Sequence, residues 1–273
     1  MVKKNAQKKG KLIIIGGHED KENDCEILTE VARNVGKGKL CIVSVASTVG
    51  DELWATYKMV FKNLGIKNLT HLDVVNRTQR VDEKAFKAVK DATSIFFTGG
   101  DQLKITSEIG GTIIQDRIFE IYNQGGIIAG TSAGASVMGE TMMISGKSDA
   151  SYRINSGLKM APGLGFAKDV LIDQHFAERG RIGRLLGATA HNPKFLGIGI
   201  DEDTAIIMED GVRFDVMGSG AVYVLDAHEA NGCNVSEAED QAALSIFDVK
   251  LNLLVKGDYF NLMDRRAYKN VVV

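Results

Sequence analysis

Cysteine is scarce in this chain of 273 residues: Cys25, Cys41 and Cys233 lie far apart and show no C-x-x-C spacing. That spacing excludes a disulfide framework and a thiolate zinc site, and it leads us to expect a reducing, cytoplasmic setting. Proline is scarcer still, with only Pro162 and Pro193, so no proline-rich linker divides the chain. No apolar run approaches membrane-spanning length. The basic tail over 1–11 runs straight into the short apolar stretch Leu12 to Ile15 rather than a signal-length one, so no export is expected. Neither charge sign is in excess: 33 Lys+Arg against 35 Asp+Glu leave a formal charge of −2. This balance argues against a general affinity for nucleic acid or an anionic membrane. What the chain does have is 44% hydrophobic residues, enough to bury one large core without covalent staples.

Short apolar runs alternate with helix-length amphipathic segments. Leu12 to Ile15, Leu40 to Val45, Leu69 to Val75, Ser94 to Phe97 and Ile127 to Ala129 read as strands. Between them Asp24 to Asn34, Glu52 to Leu64, Asp82 to Lys90 and Gly111 to Tyr122 read as helices. The pattern predicts an α/β fold with a mostly parallel central sheet covered on both faces. Further along, Asp169 to Ile172, a helix around Arg181 to Ala190 and Leu196 to Ile200 continue it. Ala205 to Met208, Val212 to Val216 and Ala221 to Leu225 are separated by Glu209-Asp210-Gly211 and Gly218-Ser219-Gly220. Both separators read as hairpin turns and predict a small antiparallel extension of a single domain spanning 1–273.

The most informative stretch is Gly130-Thr131-Ser132-Ala133-Gly134, a serine between two glycines immediately after an apolar run. A strand that must turn sharply into a helix to expose a hydroxyl needs this pattern, which makes Ser132 the candidate nucleophile. A serine hydroxyl attacks only when a base takes its proton and a third group orients the base. Of the five histidines, His71, His191 and His228 sit in an alternating strand or polar turns and read as structural. His18 follows a strand, but the preceding Gly16-Gly17 suggests close backbone approach to a ligand. His175 follows Val170-Leu171-Ile172, so a strand delivers it to the sheet edge that carries Ser132. Glu202, in Asp201-Glu202-Asp203, is the expected orienting carboxylate, with Asp149 as the alternative acid.

Acyl transfer also needs donors for a developing oxyanion. The amide of Ala133 is one, and the Gly99-Gly100 turn offers Gly100 as another, unless that pair is only a tight turn. Around His175 stand Asp173, Gln174, Glu178, Arg179, Arg181 and Arg184. Arginines beside a hydrolytic site imply substrate carboxylates, whose geometry the guanidinium fork matches, and Asp173 would answer a substrate cation. The alternative is a solvated helix face. With no cysteine cluster and no H-E-x-x-H, neither metal nor cofactor is expected.

Several runs together resemble the cyanophycinases, serine peptidases of the aspartyl dipeptidase (S51) group. They are Ile15-Gly16-Gly17-His18-Glu19-Asp20-Lys21, Phe97 to Leu103, Gly130 to Gly139, Asp173-Gln174-His175-Phe176 and Gly199 to Thr204. The resemblance extends from Leu12 to Arg265-Arg266-Ala267-Tyr268. It implies a three-layer, class I glutamine-amidotransferase-like (flavodoxin-like) sandwich and a Ser132, His175, Glu202 triad. It also implies a pocket of Gln102, Asp173, Gln174, Arg179, Arg181 and Arg184. The implied substrate is cyanophycin, poly-aspartate with arginine on each β-carboxyl, cleaved to β-Asp-Arg dipeptides, and the implied assembly is a homodimer. Lys147-Ser148-Asp149-Ala150 departs from the stretch where some relatives place an acid. Two other readings stand beside this one: an α-aspartyl dipeptidase, and a non-catalytic module cradling a nucleotide phosphate at Gly16-Gly17, though G-x-G-x-x-G is lacking.

Overall fold

A computed structural model describes residues 9–73, 83–146, 153–154, 157–239 and 241–270. In the first half, β1 (Lys11–Ile15) leads to α1 (Glu26–Val35), β2 (Lys39–Val43) to α2 (Gly50–Asn63), and β3 (Asn68–Leu72) to α3 (Glu83–Lys90). After β4 (Ser94–Phe97) come α4 (Gln102–Ile109) and α5 (Ile113–Asn123), and after β5 (Ile128–Thr131) the single turn α6 (Ala133–Ser136). α4 is absent from the sequence reading because it buries only Ile105 and Ile109, too thin a stripe to announce a helix. These five strands pair in parallel in the order β3, β2, β4, β5, β1.

The strands are apolar throughout because both faces of the sheet are covered. Alternation sorts their side chains: Leu12 and Ile14 join a core with Ile114, Ile118 and Ile121 of α5. Ile13 and Ile15 point the other way, into a core with Ile27 and Leu28 of α1 and Tyr57 and Phe61 of α2.

The second half corrects the expected sheet. β6 (Thr141–Ser145) and β7 (Lys159–Pro162) form a separate ribbon. There follow β8 (Val170–Gln174), α7 (Ile182–His191), β9 (Leu196–Ile200), β10 (Thr204–Glu209) and β11 (Arg213–Gly218). The chain ends with β12 (Ala221–Asp226), β13 (Lys250–Val255), β14 (Asp258–Asn261) and β15 (Arg266–Lys269). β10 lies antiparallel against β1, and β11, β14 and β15 continue antiparallel beyond it. The nine-stranded sheet is therefore mixed, with four parallel and four antiparallel pairings, rather than mostly parallel. One of the antiparallel pairings has a local cause: Asp210 and Gly211 take φ of 56° and 66°, the left-handed pair that closes a tight hairpin and seats β11 beside β10.

Gly218-Ser219-Gly220 is not the second hairpin. Here the chain leaves the large sheet, and β12 pairs with β9 and β13 in a four-stranded sheet ordered β13, β12, β9, β8. One face of that sheet, with Ile172, Ile198 and Val222, packs into the core of Leu12 and Ile14. Leu171 on the other face meets Leu185 and Ala188 of α7. Over this end a second sheet and α7 replace the single helical layer of a three-layer sandwich. Among the described residues no helix is long and apolar enough to cross a membrane.

Candidate active site

The two sheets meet at Ile15-Gly16-Gly17, where β1 ends. The carbonyl of Ile15 accepts from the Ser132 N–H at 3.1 Å, that of Gly16 from His175 at 2.8 Å, and that of Gly17 from Asp203 at 2.8 Å. Three consecutive peptide groups thus hold the loops after β5, β8 and β9. Only glycine fits there. A Cβ on Gly16 would lie 1.9 Å from the Asp201 carbonyl oxygen, and one on Gly17, at φ +110°, 2.3 Å from Cε1 of His175. The close approach at this pair is therefore to the neighbouring loops of the protein, at Asp201 and His175.

Ser132 sits at φ 54° on the turn from β5 into α6. Its flanking glycines are needed sterically: a Cβ on Gly130 would meet the Gly134 carbonyl oxygen at 2.5 Å, and one on Gly134 that of Phe97 at 2.5 Å. His18, Ser132, His175 and Asp203 all adopt positive φ, a concentration of backbone strain typical of functional sites. Ser132 Oγ lies 2.9 Å from His175 Nε2, and His175 Nδ1 lies 2.6 Å from Glu202 Oε1. His175 arrives from the second sheet, not from the sheet edge that carries Ser132, and the triplet forms where the ends of β5, β8 and β9 converge.

Asp201 and Asp203 face away from the imidazole. Asp201 accepts from the Ala177 and Ala221 amides, and Asp203 from the Asp20 amide and the Ser219 hydroxyl. Asp149 lies outside the described residues. Among the other histidines, His71 bonds Ser44 and stacks on Trp54, and His191 bonds the Gly187 carbonyl. Burial holds the His175 pKa below its ordinary value, opposed by the hydrogen bond to Glu202 and reinforced by Arg179. The imidazole is therefore neutral at neutral pH.

An open cleft of about 620 Å³ spreads in front of Ser132, with Gln102, Gln174, Arg179, Arg181 and Arg184 in its walls. The Gly99-Gly100 turn borders it: Gly100, at φ +140°, has no room for a Cβ beside the Ala46 carbonyl, and a Cβ on Gly99 would touch Cβ of Ser132 at 3.4 Å. Gln102 is oriented by donating to the Met143 carbonyl at 2.8 Å. Asp173 departs from expectation. It is fully buried, and it accepts from Arg181 Nη1 at 3.1 Å, from Arg184 Nε at 2.6 Å and from Arg184 Nη2. Its carboxylate is committed to holding two arginines rather than turned to a substrate cation. Arg181 also donates to the Gln174 carbonyl. Burial lowers the Arg181 pKa to about 10, with Asp173 opposing the shift, so the guanidinium stays charged at neutral pH. Arg179 is exposed. Gln174 Oε1 and Arg181 Nε are buried without a hydrogen-bond partner.

The sequence reading passed over one further group. Glu19, its side chain wholly buried, accepts from Tyr57 Oη at 2.5 Å and Thr131 Oγ1 at 2.6 Å, and lies 3.0 Å from Lys21 Nζ. It braces the residue immediately before Ser132. Burial raises the Tyr57 pKa, with Glu19 adding to the shift, and so keeps the phenol a donor. An acid following Gly-Gly-His was a visible signal for Glu19; nothing in the sequence ties Tyr57 to it.

The model of the family "Peptidase family S51" matches residues 12–214. The chain is 34% identical over 268 residues to a cyanophycinase of Synechococcus elongatus, covering 97% of this chain and 83% of that one. It is 34% identical over 265 residues to a cyanophycinase of Geminocystis herdmanii, covering 96% and 97%. The crystal structure of a peptidase from an acI-B1 Actinobacterium superposes with a TM-score of 0.69 at 21% identity, covering 94% of this chain and 98% of that one. At that identity the superposition speaks for the fold alone.

The buried Asp173 pairing predicts a stability effect. Asp173→Asn leaves two buried guanidinium groups without a counter-charge and should cost about 3–5 kcal/mol in urea unfolding. Arg179→Gln, on an exposed side chain, should stay within about 0.5 kcal/mol. Equal midpoints for the two variants would contradict the pairing.

Proposed function

The chain belongs to peptidase family S51, and from that premise we propose that it hydrolyses cyanophycin, the polymer its relatives are named for, releasing β-Asp-Arg dipeptides as a serine exopeptidase. The observation that carries the chemistry is the chain of contacts from Ser132 Oγ through His175 to Glu202, 2.9 and 2.6 Å, at the wall of the arginine-lined cleft. In this reading Ser132 Oγ attacks the scissile carbonyl as its proton passes to His175 Nε2. Glu202 holds the Nδ1 proton and stabilises the imidazolium. The amides of Gly100 and Ala133 receive the oxyanion. Collapse of the tetrahedral adduct expels the amine, which takes the proton from Nε2, and leaves an acyl-enzyme. Water, deprotonated by the same nitrogen, then releases the acid and restores Ser132.

The cleft favours a substrate that presents free carboxylates. Arg179, Arg181 and Arg184 outnumber Asp173, so the pocket carries net positive charge for the polymer's free carboxylates, those of its arginines and of its terminal aspartate. Gln174 Oε1 is an acceptor and Arg181 Nε a donor, both buried and without a protein partner; such atoms are normally satisfied by a ligand or water. Asp173 takes part by positioning Arg181 and Arg184. The same proposal treats the chain as one catalytic domain of the class I glutamine-amidotransferase-like group, a cytoplasmic homodimer that engages neither nucleic acid nor membrane.

Mass spectrometry of the products from purified cyanophycin is the direct test: wild type should yield β-Asp-Arg, and Ser132→Ala should slow its release about 10⁴- to 10⁶-fold while folding normally. Unchanged release by Ser132→Ala, or products other than the dipeptide, would overturn the proposal. The pH profile gives a second test. A base whose pKa is lowered stays competent as pH falls, so the acid limb of kcat/KM should lie below the ordinary histidine value of about 6.5. Because Arg179 helps lower that pKa, Arg179→Gln should move the limb to higher pH. A limb moving the opposite way would contradict the assignment of His175 as the base.

A further inference from the structure

His18 is the one histidine beside the triplet to which the hydrolytic reading gives no task. Its Nε2 lies 3.9 Å from Glu202 Oε1, its side chain is 70% exposed, and its ring stands edge-on to that of His175 at 5.2 Å between centroids. His18, His175 and Glu202 each present one ligand atom, all within 4.8 Å of one another. Two imidazoles and a carboxylate are a donor set for zinc or copper(II) and a poor one for magnesium or calcium. The exposed His18 ring turns toward solvent, so an ion has an entry path and His18 has freedom to swing onto it.

We propose that His18, Glu202 and His175 Nδ1 form an inhibitory site for zinc or a chemically similar transition-metal ion. Turnover needs His175 with its proton on Nδ1, shared with Glu202, and a bare Nε2 to take the serine proton. An ion on Nδ1 occupies the lone pair that a proton would otherwise hold. The single proton of the neutral imidazole then resides on Nε2, facing Ser132 Oγ, and the ring can no longer act as base. The ion also draws Glu202 away from its hydrogen bond with Nδ1. No covalent bond is made or broken and no electron moves: the metal locks the wrong tautomer. The enzyme works without the ion, and chelation restores it.

The effect on turnover rests on the assignment of His175 as the base; binding does not, and the test separates the two. Calorimetric titration of the full chain with zinc chloride should show one ion per chain, and His18→Gln should weaken binding at least about 10- to 100-fold, the loss that follows when only an outer partner of a metal ligand is removed. Hydrolysis, referred to each variant's own zinc-free rate, should be inhibited reversibly in wild type and resist zinc by a similar factor in His18→Gln. Magnesium chloride should do neither. Ring ¹⁵N spectra should show the His175 proton moving from Nδ1 to Nε2 as zinc is added. Zinc binding as tight in His18→Gln as in wild type would overturn the site. Binding that depends on His18 while an active enzyme keeps its full rate would overturn the tautomer lock. Zinc binding with the tautomer shift, in a wild type that hydrolyses nothing even after chelation, would sink the hydrolytic reading and leave the site standing.

Discussion

Three carbonyl groups in a row, those of Ile15, Gly16 and Gly17, set the geometry on which the candidate site depends. Each accepts one amide from a different loop, and those loops carry Ser132, His175 and the neighbour of Glu202. The loops come from two sheets, so no regular ladder fixes their relative position. The seam does that instead, and it demands glycine twice, because the Asp201 carbonyl and the His175 ring fill the space a Cβ would take. Alignment to a few tenths of an ångström is what proton relay between hydroxyl, imidazole and carboxylate requires. Strained φ values at Ser132, His175 and Asp203 persist because the surrounding hydrogen bonds over-determine them.

Around this frame, charge is arranged in a largely buried setting. Asp173 gathers Arg181 and Arg184, a pairing whose value lies in fixing two cations at the wall of the cleft more than in raw stability. Glu19 is satisfied by Tyr57 and Thr131 and stiffens the strand end just before Ser132. The two carboxylates do comparable work: both act through neighbours, and both are wholly or almost wholly buried.

Much of this was legible in the sequence. Ser132 was marked by its glycines and His175 by the apolar strand before it, whereas Glu202 stood out from Asp201 and Asp203 only once their bonds to backbone amides and the Ser219 hydroxyl were on view. The arginine cluster was visible as composition, but its division of labour was not, because only burial reveals that Asp173 faces inward. The parallel half of the sheet followed from alternating periodicity. The antiparallel half did not, since β10 and β11 read as strands without naming their partners, and Gly218-Ser219-Gly220 has the composition of a hairpin whether the chain turns back or crosses to another sheet. The pair Gly16-Gly17 was read as making room for a ligand. Its true neighbours, His175 and Asp201, lie more than 150 residues away in sequence, a separation that local pattern cannot bridge.

The claim that the seam aligns the triplet is tested most directly by comparing Gly17→Ala with Gly65→Ala. Both positions have positive φ, +110° and +90°, but a Cβ on Gly65 meets nothing within 4 Å. Backbone strain is thus common to the two variants, and only Gly17→Ala pushes on the His175 ring. With each variant shown to be folded by circular dichroism, kcat for peptide hydrolysis should fall about 10²-fold in Gly17→Ala and stay near wild type in Gly65→Ala. Wild-type kcat in Gly17→Ala would contradict the account.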